Sequence, residues 1–176
     1  MIGNKMKGIL VWITGLAGSG KTTIGKAVCE EWKIKQTNTV FLDGDHFREI
    51  TGQTAMHSKE ARLQVAYQLS RMCKFLTDQN INVICSTISL FKEIHELNRN
   101  NFDRYCEIYI HCDMEELINR DQKNLYTKAL KKEIKNVVGI DITFDRPENC
   151  DLEINNSTAN ELENKVNKII NLINTK

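Results

Sequence analysis

The residues of this chain best suited to chemistry are a glycine loop, a pair of aspartates and a few well-spaced cations. Gly15-Leu16-Ala17-Gly18-Ser19-Gly20-Lys21-Thr22 fits the phosphate-binding pattern GxxxxGK[ST]. Its glycines let successive backbone N–H groups turn inward around a polyphosphate, Lys21 brings a mobile positive charge to the outer phosphates, and the Thr22 hydroxyl is suited to Mg²⁺. Thr23 continues into a helix whose positive dipole end faces the same anion. Further along, Leu42-Asp43-Gly44-Asp45-His46-Phe47-Arg48 gathers two carboxylates and an arginine. Phosphoryl transfer to a hydroxyl needs these types: a carboxylate to orient or deprotonate the nucleophile, another near the metal, and a cation on an anionic acceptor. Asp45 is read as base or orienter and Asp43 as part of the Mg²⁺ shell, two roles that could be exchanged.

These groups need a frame. β-branched and apolar runs recur at Ile9–Thr14, Thr39–Asp43, Ile81–Ser86, Cys106–His111 and Cys150–Ile154, separated by stretches long enough for helices. That alternation predicts parallel strands joined by helical crossovers, an α/β fold with its ligand crevice at the strand carboxyl ends. Ser58 caps a predicted helix that places Ala61, Val65, Ala66, Leu69, Met72, Cys73 and Leu76 on one face. Thr158-Ala159-Asn160-Glu161 reads as a capping box before a last helix with Leu162, Val166, Ile169, Ile170 and Ile173 in a stripe. Between Asn119 and Lys135 the chain is rich in cations; a solvated helix face is the ordinary meaning, but here a lid over the phosphates, about 119–138, is preferred. The sole proline, Pro147, lies in a predicted loop, Asp141–Asn149.

With 176 residues and no linker or repeat, one domain spanning 1–176 is expected. Lys+Arg 24 against Asp+Glu 23 leaves net charge +1, which gives no global field for nucleic acid or an anionic membrane. No run reaches transmembrane length and the early apolar segment ends in the glycine loop, so a cytoplasmic protein is expected. Cys29, Cys73, Cys85, Cys106, Cys112 and Cys150 form no CxxC pair and read as buried thiols rather than disulfides or a zinc site. His111-Cys112-Asp113 lacks a second ligand cluster.

Leu42-Asp43-Gly44-Asp45 with Arg48, Ile88-Ser89, and Arg120-Asp121-Gln122-Lys123-Asn124-Leu125-Tyr126 with Lys128-Ala129 together resemble the adenylyl-sulfate (APS) kinase family. The resemblance runs from about Ile9 to the last strand. It implies a P-loop kinase, a three-layer sandwich with a five-stranded parallel sheet of order 2-3-1-4-5, helices on both faces and a lid. It further implies transfer of the ATP γ-phosphate to the ribose 3′-hydroxyl of a nucleotide with a modified 5′ phosphate, with ATP and Mg²⁺ required. By position, Arg48 and Arg62 would hold the acceptor's anionic end. Ile88, Ser89 and Leu125 would line its site, Lys123 would reach it from the lid, and Arg120 would lie near ATP. A small-molecule nucleotide is then the partner, and a homodimer is allowed for.

The departures from that family concern the acceptor. Its members sandwich adenine between two phenylalanines, where this sequence has His57 and Val137; an asparagine and an arginine pair are Val65 and Tyr67-Gln68; Ser-Pro-Tyr is Ser89-Leu90-Phe91; Pro-Lys-Gly is Gln122-Lys123-Asn124. Base stacking contributes about 1–3 kcal/mol per ring. Losing both rings weakens adenine while sparing phosphate chemistry, so a changed acceptor is expected. Such a sequence looks like the cytidine diphosphoramidate kinases of capsule biosynthesis, whose acceptor replaces sulfate with a phosphoramidate of similar shape and charge. An APS kinase is the alternative. A non-catalytic nucleotide-binding domain is a reading from another class, and a sugar or polyol kinase fits poorly with two arginines aimed at a phosphate.

Overall fold

The computed structural model describes residues 7–53, 58–158 and 160–176. Five strands, β1 (Leu10–Thr14), β2 (Thr39–Asp43), β3 (Asn82–Thr87), β4 (Tyr105–His111) and β5 (Leu152–Asn155), form one parallel sheet in the order 2-3-1-4-5. β1 is central and pairs with both β3 and β4, Trp12 lying opposite Cys85 on one side and Glu107 on the other. Its five residues are all buried because helices cover both faces of the sheet, which is why it reads as an unbroken apolar run.

Alternation along β1 divides the core. Ile9, Val11 and Ile13 face α1 (Lys21–Lys35) and α7 (Leu162–Ile173), packing with Ile24, Val28, Trp32 and Ile169. Leu10 and Trp12 face α3 (Lys59–Asp78) and α4 (Lys92–Asn101), packing with Ala66, Leu69, Cys73 and Ile94. A third cluster, with Leu16, Tyr109, Leu117, Tyr126, Val137 and Val138, lies under the predicted lid. There α5 (Met114–Arg120) is followed by a 3₁₀ turn, Gln122–Asn124, and α6 (Leu125–Leu130). The basic segment is therefore two short helices seated on their own apolar base.

Ser58 does cap α3, its hydroxyl accepting from the Ala61 amide at 3.2 Å, a contact of about 1 kcal/mol. Met72, expected on the buried stripe of α3, is instead exposed. The expected capping box of α7 does not form: Glu161 adopts φ 60 without a side-chain cap, and the helix starts at Leu162. The Lys165 ammonium explains this, since it engages the Thr158 and Asn160 carbonyls at 2.9 and 2.6 Å. Five cysteines are buried and Cys150 is half-buried. No helix among the described residues is long and apolar enough to cross a membrane.

One charge is buried far from the glycine loop. Glu107 of β4 is 1 % exposed, and its carboxylate meets His95 Nδ1 at 2.6 Å, Arg99 Nη2 at 2.9 Å and the Tyr105 hydroxyl at 3.0 Å. Burial pushes its carboxyl upward, but the partners, His95 first, outweigh that and hold it below the usual carboxylate range. The cluster fastens α4 to the sheet.

Candidate active site

β1 ends where the glycine loop begins, and the loop hands over to α1 at Gly20, whose φ of 97° and neighbour Asn156 leave no room for a Cβ. Lys21 is buried, its Nζ donating to the Leu16 carbonyl at 2.6 Å. Desolvation lowers its ammonium from the ordinary 10.5 to about 8, with Asp45 and Asp43 opposing. Thr22 and Thr23 face outward on the first turn of α1.

The end of β2 turns directly into a helix not expected from the sequence, α2 (Gly44–Ile50). Asp43 is its N-cap: Oδ1 accepts from the Asp45 amide at 2.9 Å and the His46 amide at 3.5 Å. Its other oxygen, Oδ2, receives the Thr22 hydroxyl at 2.7 Å. A hydroxyl and a carboxylate held together beside the phosphate loop are the hard oxygen donors that Mg²⁺ prefers, so these residues fit the ion. Asp45 is exposed on the first turn of α2 and Arg48 follows one turn later. Burial lowers the arginine's pKa, against Asp45.

Two cavities flank the glycine loop and share Gly18, Lys21, Thr22 and Gln122. The first, about 360 Å³, is also lined by Asp43, Asp45, Arg48, Arg62, Ile88, Ser89, Lys123 and Leu125, so the residues expected around metal, base and acceptor come together. The second, about 420 Å³, is lined by Thr23, Arg120, Asn156, Asn160 and Lys165. A third cleft, of about 610 Å³, lies at the other end of the strands around Trp32, Asn38, Asn82 and Arg104, and holds none of this chemistry.

Arg62, on the first turn of α3, also donates to the Asn136 carbonyl at 2.9 Å and so joins the acceptor side to the segment after α6. Its pKa is lowered, by burial first and then by Arg48, which places the two guanidiniums near one another. Arg120 lies against the glycine loop rather than in open solvent: it donates to Gly18 O at 3.2 Å, Asn156 O at 2.7 Å and Glu116 at 2.8 Å. Lys123 and Asn124 have φ 60 and 56, so asparagine, which tolerates that conformation, takes the place of a glycine.

Not every expected residue faces the site. Val137 is buried in the third cluster, and its neighbour Val138 lines the first cavity instead. His57 lies outside the described residues. Leu16 and Ser19 are buried within the loop, where they shape it rather than face the cavities. Glu49 on the first cavity, and Asn156 and Lys165 on the second, carry no expectation from the sequence. The signals available were weak: a carboxylate beside an arginine, and a lysine beside an apolar helical stripe.

A parallel 2-3-1-4-5 sheet, a glycine loop at the tip of its central strand and an acidic turn opposite define a P-loop kinase. The adenylylsulphate kinase family model matches residues 7–155, and the chain belongs to that family. It is 56 % identical over 161 residues, 92 % of this chain and 94 % of the relative, to a cytidine diphosphoramidate kinase of Campylobacter jejuni subsp. jejuni serotype O:2. It is 34 % identical to a probable adenylyl-sulfate kinase of Aeropyrum pernix, covering 95 % of this chain and 93 % of that one. The structure of the Mycobacterium tuberculosis APS kinase in complex with AMPPNP and APS superposes with a TM-score of 0.85 at 28 % identity, covering 96 % and 98 % of the two chains.

Proposed function

We propose that this kinase transfers the γ-phosphate of ATP to the ribose 3′-hydroxyl of cytidine diphosphoramidate. The observation that carries the reading is the wall of the acceptor cavity. Val65, Leu90, Leu125 and Val138 line it, and Phe91 is the one aromatic ring among its described lining residues, while the phosphate-directed Arg48 and Arg62 remain. An aliphatic slot beside two guanidiniums suits a small pyrimidine with an anionic tail better than a purine held between two rings. The likeness to the Campylobacter kinase agrees with this.

In this reading Asp45 accepts the proton of the 3′-hydroxyl as its oxygen attacks the γ-phosphorus and the bond to the β-phosphate oxygen breaks. Asp43 serves the metal side in this reading, and its bonds to Thr22 and to the α2 amides support that assignment of the two aspartates. Bound Mg²⁺ would neutralise charge across the outer phosphates, held by Thr22 and Asp43. Lys21 offsets charge on the transferred phosphoryl, Arg48 and Arg62 hold the acceptor's tail, and the lid brings Lys123 over it and excludes water. Glu49 supplies an acceptor for the P–NH₂ group, a donor that sulfate lacks.

A coupled assay of ADP release with cytidine diphosphoramidate and with APS tests the reading. Faster turnover of the cytidine substrate is expected, and Glu49→Gln should narrow its advantage. Faster turnover of APS would establish the alternative, and ATP binding without turnover of either would favour a binding domain.

A further inference from the structure

Three consecutive carbonyls of the glycine loop each receive a donor from outside it. Ala17 O accepts from the Tyr126 hydroxyl at 2.8 Å, Gly18 O from Arg120 Nη1 at 3.2 Å, and Ser19 O from Asn156 Nδ2 at 2.7 Å. A trans peptide is planar, with C=O and the following N–H pointing opposite ways. Holding the Ala17 and Ser19 carbonyls outward therefore turns the amides of Gly18 and Gly20 inward, where a polyphosphate is expected, while the Ser19 amide closes the turn on Leu16 O at 3.2 Å.

The donors are themselves fixed. Tyr126 is fully buried on α6, and the amides of Tyr126 and Thr127 are held by Asp121 Oδ1 at 2.9 and 3.1 Å. Asn156, 6 % exposed, accepts at Oδ1 from Lys165 Nζ at 2.7 Å. An ammonium has only donors, so it selects one face of the amide and leaves Nδ2 for Ser19. A Cβ on Gly20 would come within 2.3 Å of that Nδ2, so the glycine is what admits the contact.

We propose that Tyr126 and Asn156, the latter oriented by Lys165, are positioning residues that set the glycine-loop amides toward the phosphates of the donor nucleotide. Because Tyr126 belongs to the predicted lid, lid position and loop geometry are one adjustment. The proposal concerns the donor half alone and holds whichever acceptor is taken.

Tyr126→Phe keeps the shape of the side chain and removes only its donor, and Asn156→Leu removes the amide donor without bringing a charge to the phosphate site. Titration calorimetry with inorganic tripolyphosphate and Mg²⁺, a ligand without base or ribose, should show Kd raised about threefold to tenfold in each variant, the worth of one hydrogen bond. The Kd for Mg·ATP should rise by a similar factor, with ligand-free melting temperatures close to wild type. A merely structural role would lower melting temperature and active fraction while the folded fraction bound tripolyphosphate normally. That result, or unchanged tripolyphosphate affinity in both variants, would overturn the proposal.

Discussion

Replacing Lys21 with methionine should stabilise the ligand-free protein while removing its response to ATP. The side chain is buried, and desolvation lowers its ammonium from 10.5 to about 8. At about 1.4 kcal/mol per pH unit, that depression is a cost of roughly 3 kcal/mol at neutral pH. Methionine fills a similar volume without charge. It gives up the bond to Leu16 O, worth about 1 kcal/mol, although that carbonyl keeps the Ser19 amide at 3.2 Å. A net gain of about 2 kcal/mol corresponds to a melting temperature about 4–8 °C higher for a domain of this size. The sign of the pH dependence follows from the same shift. Between about 8 and 10.5 the unfolded chain binds the proton that the folded one has lost, so wild-type stability contains a component that rises with pH over that window. The variant lacks that component. Scanning calorimetry of both proteins across that range, with and without Mg·ATP, measures all of this. Wild type should gain melting temperature with nucleotide and Lys21→Met should not. A variant that melts at or below wild type without ligand would refute the claim that the loop holds its lysine at a desolvation cost.

Asp45→Asn should depress turnover far more than ATP affinity, read as kcat against the calorimetric Kd; equal losses would place the base elsewhere. Val138→Phe should shift acceptor preference toward adenine nucleotides in competition assays, whereas Val137→Phe should overpack the third cluster and lower stability by about 1–3 kcal/mol in urea titration. Glu107, whose folded pKa lies below its unfolded value despite burial, contributes stability that is present above the unfolded value and lost as pH falls through the folded one. Acid titration followed by circular dichroism should therefore show Glu107→Gln less stable at neutral pH, with a weaker dependence on acid than wild type.

The parts of the protein that could be read from its residues are those governed by local rules. Strand runs buried on both faces, as in β1, declare themselves by unbroken apolarity, and even the half-buried edge strand β2 is found at Thr39–Asp43 as expected. The glycine loop is legible because its spacing is its chemistry. What escaped reading depends on which distant group reaches a given residue. Nothing in the sequence marks Lys165 beyond its place beside an apolar stripe; only the fold brings three oxygens to its ammonium and cancels the capping box. Val137 and Val138 are equivalent in sequence terms, and a turn closed by Asp141, which accepts from the Asn136 amide at 2.6 Å, decides which faces the cavity. α2 is not legible in the sequence because a seven-residue helix carries too little periodicity, and its N-cap Asp43 sits in a segment that reads equally well as a turn.

The double use of Asp43 bears on how such an enzyme can change. One oxygen receives the Thr22 hydroxyl and the other fixes the start of α2, so the short helix on the first cavity is rooted at the residue proposed to serve the metal. Its outward residues, His46 and Glu49, can be exchanged singly without disturbing strand tips or glycine loop, whereas Phe47 packs on the core. Diversification then proceeds on a fixed hinge point: new acceptors are explored by surface substitutions on α2 and around Val138, while the phosphate-donating half stays inherited whole.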